Sequence, residues 1–112
     1  MVENAPNRGD LVWLDFSPQK GHEQSGKRPA LVVSPSSYNK KTNLALFCPI
    51  TSKEKGYPFE VSITNDFQIE GVVLVDQIKN LDWKARNVEF IERFPEEKME
   101  QVISKLQTLI RF

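Results

Sequence analysis

Short apolar runs separated by turn residues dominate the first three quarters of the chain, and one longer segment of a different period follows them. Leu11 to Phe16 reads as a strand, and Ala30 to Val33 as a central strand buried on both faces. Leu44 to Ile50 follows, then Phe59 to Ile63 with Phe59, Val61 and Ile63 alternating, then Gly71 to Val75 and Val88 to Ile91. Gly, Pro and Asn between such runs predict a mostly β domain, a small barrel or sandwich. Ser36 to Lys41 predicts a helical turn. Near the C-terminus, Met99, Val102, Ile103, Leu106, Leu109 and Ile110 recur at helical spacing and predict an amphipathic helix packed on the barrel or on a second subunit. Pro95 suits its first turn, Glu96 and Glu97 suit the positive end of the helix dipole, and Lys105 and Arg111 the other end.

Composition narrows the class without naming a function. With 112 residues, 39% hydrophobic and 27% charged, the chain fits one soluble domain, residues 1–112, with a single core. No apolar run reaches membrane-spanning length and the N-terminal residues lack a signal-peptide core, so a cytoplasmic location is expected. One cysteine, Cys48, rules out an intramolecular disulfide. Net charge is zero, but its distribution is uneven. Lys20, Lys27 and Arg28 outweigh Glu23, Lys40, Lys41, Lys53 and Lys55 outweigh Glu54, and Lys79, Lys84 and Arg86 outweigh Asp82. Converging in space, these loops would attract phosphate. Charge alone favours the plainer reading of solvated loops.

The polar run Lys20-Gly21-His22-Glu23-Gln24-Ser25-Gly26-Lys27-Arg28-Pro29 lies between two strands and carries the only histidine. A loop held by rigid strands is a common place for catalytic groups. One histidine and one cysteine far apart do not make a zinc site, and the acids show no calcium or two-metal spacing, so no cofactor is expected. Phosphate-cradling glycine motifs and nucleophile elbows are absent. Acid–base chemistry by a carboxylate and a guanidinium remains. Cleavage of RNA through its 2′-hydroxyl needs a base, a cation for the charge on phosphorus and a proton for the leaving oxygen. Glu23 or His22 can serve as base and Arg28 can bind the phosphoryl oxygens bidentately. Thr51 and Ser52 offer hydroxyls beside Lys53. On the residues alone, a Glu and an Arg in one loop are more often a solvated ion pair.

Taken together, the ordered motifs resemble the MazF/PemK (Kid) toxins of type II toxin–antitoxin systems. They are Gly9-Asp10 with Leu11 to Phe16, Gly21 to Pro29, Ser34-Pro35, Tyr38-Asn39, Pro49-Ile50-Thr51-Ser52, Lys55 to Val61, Gly71-Val72-Val73, Asp76-Gln77 and Lys84-Ala85-Arg86. The resemblance implies an SH3-like barrel of the CcdB/PemK type with five to seven strands, and a homodimer. It also implies metal-independent cleavage of single-stranded mRNA at a short sequence, giving a cyclic phosphate and a 5′-hydroxyl. The implied partner is a MazE/PemI-like antitoxin whose disordered acidic tail covers the RNA groove. No membrane is implied, and DNA is met only indirectly, through the antitoxin complex.

Residue by residue, the family's catalytic arginine matches Arg28, its threonine Thr51 and its loop glutamate Glu23. Because an arginine holds its proton so tightly, Arg28 suits charge stabilisation better than proton donation. Kid-type sites combine a histidine, matching His22, with an arginine and an aspartate. The aspartate matches Asp76, but Leu74 stands at the arginine's place, which favours the Glu23/Arg28/Thr51 set. His22 equally suits ordering the loop or stacking on a base. Lys20, Ser52, Lys53, Lys55, Asp76, Lys79 and Lys84 are candidate RNA contacts, Gln77 a candidate base reader, and Trp13 and Phe59 candidate stacking platforms. Strand aromatics are more often core. Tyr57 suits loop packing, and Trp83 an anchor before the last strand. A non-enzymatic CcdB-like inhibitor of a protein such as DNA gyrase is the alternative. Such proteins lack the Glu-x-x-x-x-Arg-Pro loop and the Thr-Ser strand end.

Overall fold

The computed structural model describes residues 4–16, 26–63 and 67–111. Seven strands run β1 (Asp10–Asp15), β2 (Lys27–Val32), β3 (Leu44–Thr51), β4 (Glu60–Ile63), β5 (Gly71–Leu74), β6 (Lys79–Asp82) and β7 (Glu89–Arg93). Helix α1 (Ser36–Thr42) joins β2 to β3, a 3-10 turn (Val75–Gln77) joins β5 to β6, and α2 (Glu96–Ile110) closes the chain. The sheet order is β4-β5-β3-β2-β1-β7, with β6 also paired to β3 and every pairing antiparallel. This curled, mostly β half-barrel with a terminal helix is the architecture expected from the apolar runs.

Alternation along β2 shows why it is central. Leu31 packs in one cluster with Leu11, Cys48, Val73, Val75 and the α2 residues Met99, Val102 and Leu106. Ala30 and Val32 pack on the opposite face with Val12, Leu14, Ala45, Phe47 and Trp83. Trp83 is the expected anchor: its indole N–H donates to the Asn39 carbonyl at 2.9 Å, leaving that buried group satisfied. Cys48 is buried in the first cluster, and burial, then the nearby Asp76 charge, push its thiol up to about 12.

Several expectations need correcting. Lys79-Asn80-Leu81-Asp82 reads as loop in sequence but forms β6. Its burial never alternates cleanly, since Lys79 and Asn80 are exposed and Leu81 and Asp82 half-buried, so main-chain pairing to β3 carries the strand. Trp13 is 38% exposed on β1, so it is not the core aromatic that its strand position favours. Along α2 only Met99, Val102 and Leu106 are buried, while Leu109 and Ile110 face out at the C-terminal end of the stripe. Pro95 is the cap before the first turn, with extended ψ of 148°. Lys105 lies before the last turn and donates to the Pro58 carbonyl at 2.6 Å, while Arg111 lies beyond that turn, so neither sits in the last turn itself. No described helix is long and apolar enough to cross a membrane.

Candidate active site

Two prolines open the groove. Phe16 N–H bonds to the Gly26 carbonyl, so on β2 the amides of even-numbered residues face β1 and those of odd-numbered residues face β3. Pro29 therefore lacks the N–H that would continue the β2–β3 ladder, and the pairing stops at Ala30 opposite Pro49. Continuing that register by two residues sets Arg28 across from Thr51. Side chains two apart share a strand face, so the two groups look across the wedge where the strands part. On its other edge, β3 changes partner at Pro49: β6 pairs through Phe47, and β5 takes over at Ile50 and Thr51. The missing amide of Pro49 falls at that switch.

A cavity of about 830 Å³ occupies the wedge, lined by Phe16, Gly26, Lys27, Arg28, Pro29, Pro49, Ile50, Thr51, Leu74, Gln77 and Lys79. A second, of about 410 Å³, shares Thr51, Leu74 and Gln77 and adds Lys53, Lys55, Tyr57, Glu60 and Asp76. The pair forms one groove with Thr51 at its middle. Lys27, Arg28 and Lys79 lie along the first half and Lys53 and Lys55, with the carboxylates Glu60 and Asp76, along the second. Part of the basic set therefore converges, while Lys40, Lys41, Lys84 and Arg86 line neither half.

Thr51 is placed by backbone contact. Gly71, at φ +126°, starts β5 against it, and a Cβ there would strike the Thr51 carbonyl and come within 3.1 Å of Ser52 Cα. The Thr51 hydroxyl accepts the Lys53 N–H at 3.2 Å, which leaves its own proton available to a ligand oxygen. Beyond it the chain from Lys53 to Phe59 carries no regular structure, yet a carboxylate organises it. Glu60 accepts N–H bonds from Lys55, Gly56 and Tyr57 at 3.1, 3.0 and 3.3 Å. Tyr57 donates to Asp76 at 2.9 Å, tying this loop to the 3-10 turn that carries Gln77. That bond, and then the carboxylate's charge, raise the Tyr57 pKa above its ordinary 10.0.

Among the sequence candidates, the groove gathers Arg28, Thr51, Lys53, Lys55, Asp76, Gln77 and Lys79. Lys20, His22 and Glu23 lie outside the described residues. Ser52 is exposed beside Thr51 but lines neither half. Phe59 packs against the core, with its ring 6.2 Å from that of Tyr57, and also lies off the groove. Lys84 lines a separate cavity with Asn4, Trp83, Asn87 and Val88. Leu74, at the place of the Kid-type arginine, contributes an apolar wall to both halves. Sequence reasoning missed Gly71 and Glu60 as supports; Gly71 acts through a long-range approach to Thr51, whereas the three-amide grip of Glu60 is a local one on the loop just before it.

Comparison with known proteins places the chain by family and by fold. Residues 7–110 match the family model described as PemK-like, MazF-like toxin of type II toxin–antitoxin system. The chain is 44% identical over 105 residues to the endoribonuclease toxin MazF of Escherichia coli strain K12, covering 94% of each. It is 36% identical to the endoribonuclease PemK of Escherichia coli, over 92% of this chain and 80% of that one. Among solved structures, the MazE–MazF complex (Form-II) of Deinococcus radiodurans superposes with a TM-score of 0.90 at 47% identity, covering 96% of this chain and 97% of that one.

Proposed function

The chain belongs to the PemK-like, MazF-like toxins of type II toxin–antitoxin systems, and from that membership and the groove we propose how it works. It is an endoribonuclease toxin that cuts single-stranded mRNA at a short sequence, stops translation and growth, and is neutralised by a MazE-like antitoxin. It acts in the cytoplasm as a homodimer, with residues 1–112 forming one toxin domain. A CcdB-like protein inhibitor is not favoured, because its named relatives are endoribonucleases.

The observation that carries the reading is that Arg28 and Thr51, from neighbouring strands, line one groove. A scissile phosphate seated between them would meet a guanidinium and a hydroxyl donor. The 2′-oxygen loses its proton to a base and attacks phosphorus. The bond to the 5′-oxygen breaks, and that oxygen takes a proton from the medium. The products end in a 2′,3′-cyclic phosphate and a 5′-hydroxyl. Arg28 stabilises the two negative charges that accumulate on the phosphorane, an interaction stronger in the transition state than in the ground state. Thr51 holds a non-bridging oxygen. Glu23 serves as base, or His22 beside it.

Lys53, Lys55 and Lys79 contact flanking phosphates, while Gln77 and Asp76 present polar edges to unstacked bases. The antitoxin's acidic tail competes for the same cations. Incubating the purified protein with a long single-stranded RNA, with and without EDTA, tests the proposal. Equal cleavage in both, with cyclic phosphate ends, is expected. Intact RNA, or full activity in Arg28→Ala, would overturn it.

A further inference from the structure

Two arginines hold opposite ends of β1 by reaching main-chain carbonyls. At the far end, Arg93 donates through Nη1 to the Arg8 carbonyl at 3.1 Å and pairs with Asp10 at 2.8 Å. At the groove end, Arg86 donates through Nη1 to the Asp15 and Phe16 carbonyls at 3.1 and 2.7 Å. Its own carbonyl accepts the Asp15 N–H at 3.0 Å, so the strand is gripped from both directions. Arg86 sits in the turn between β6 and β7, where Asp82 fixes the backbone by accepting the Lys84 and Ala85 N–H groups at 3.0 and 2.9 Å. The Arg86 N–H in turn donates to the Asp82 carbonyl at 3.1 Å.

Arg86 lines neither described half of the groove, and its guanidinium is engaged by two main-chain carbonyls. What it grips is the last part of the β1–β2 ladder. Phe16 N–H bonds to Gly26, Asp15 pairs with Lys27, and Leu14 pairs with Arg28. Phe16 and Gly26 are themselves groove wall, along with Arg28. Beyond Trp13, β1 has left its other neighbour, since the pairing to β7 ends with Trp13 opposite Glu89. The Arg86 guanidinium and carbonyl replace β7 as the support of that edge.

We propose that Arg86 is a positioning residue for cleavage: it holds the groove end of β1, and through the Leu14–Arg28 rung it sets where the Arg28 guanidinium stands. This rests on the endoribonuclease reading above. A reacting centre is sensitive to small displacements, with about 1 Å of misplacement able to cost on the order of 100-fold in rate. Ground-state RNA binding is spread over several phosphate contacts and is far less sensitive. The effect therefore belongs in kcat, and KM should hardly move.

The test compares Arg86→Gln, Arg86→Lys and, as the matched control, Arg93→Gln, in single-turnover and steady-state cleavage of single-stranded RNA. Amide hydrogen exchange on the same proteins supplies a second reading. Arg86→Gln is expected to lower kcat by roughly 10- to 100-fold with KM within about threefold. It should also speed exchange at the Phe16 and Arg28 amides. Arg86→Lys, with one ammonium able to reach a carbonyl, should recover part of the rate. Arg93→Gln should lower melting temperature while leaving kcat near wild type.

Wild-type exchange at Phe16 and Arg28 in Arg86→Gln would overturn the clamp whatever the activity. Faster exchange with unchanged kcat would overturn its role in cleavage. Equal kcat losses in the Arg86 and Arg93 variants would reduce both to general stability and overturn the proposal. A wild-type protein that leaves RNA intact would instead overturn the functional reading, while the exchange comparison still judges the clamp.

Discussion

The middle of the groove and its downstream end are built by different means. Arg28 and Thr51 stand at the ends of paired strands, where ladder bonds, two prolines and the close approach of Gly71 set their positions. Lys53 and Lys55 ride on a segment without regular structure, held by one carboxylate and one tyrosine hydroxyl. Chemistry needs fixed geometry, and a rigid strand end provides it. Phosphate attraction needs charge within reach, which a loosely specified loop can supply. The contrast assigns rate to the strand ends and affinity to the loop.

The largest expected effect falls on the strand-borne cation. Arg28→Ala should lower single-turnover cleavage by about 10²–10³-fold, the usual loss of one charge-stabilising donor, with RNA binding weakened much less. Equal losses in rate and affinity would erase the contrast. Gly71→Ala comes next. The new methyl group meets the Thr51 carbonyl in a strained backbone region, so stability should fall by about 1–3 kcal/mol in denaturant unfolding. In the fraction that stays folded, kcat should drop further than it does for any lysine variant.

Lysine changes should look different in kind. Lys53→Ala and Lys55→Ala should each weaken RNA binding and flatten the plot of log affinity against log salt by about 0.7 for each phosphate left without its cation. Single-turnover rates at saturating protein should stay near wild type, and a large rate loss would show that the loop also shapes the reacting centre. The smallest effect concerns Cys48, away from both regions. Its thiol is raised from an ordinary value of 9.0 to about 12, so between those values the unfolded chain has lost a proton that the folded chain keeps. Stability contributed by this group is complete below pH 9 and declines as pH rises towards 12. Cys48→Ala should flatten that alkaline decline in urea titrations.

Most strands could be read from the chain because their inward faces are apolar: Leu11, Leu31, Cys48, Val61 and Val73 all belong to one cluster. β6 escaped because no apolar alternation marks a strand whose side chains are largely wet. Likewise, the helical stripe of α2 was legible, but where burial stops along it depends on how far the sheet extends, so Leu109 and Ile110 end in solvent. In the site, Arg28 and Thr51 are visible as residue types within motifs. Their juxtaposition is not, because it follows from the β2–β3 register and from which way the Pro29 nitrogen points. Gly71, Glu60 and Arg86 are harder still. Gly71 and Arg86 act on main-chain atoms far away in sequence, while Glu60 grips amides only three to five residues before it and reads in sequence as an ordinary strand-edge acid.

Whether Arg28 and Thr51 are partners on a single phosphate is settled most directly by a double-mutant cycle. Single-turnover cleavage of one single-stranded RNA would be measured in EDTA for wild type, Arg28→Ala, Thr51→Ala and the double variant. Groups that act as a unit lose function together, so the double variant should be barely slower than Arg28→Ala alone. Losses that simply multiply would mean that the two residues work at separate places, and would contradict the shared phosphate.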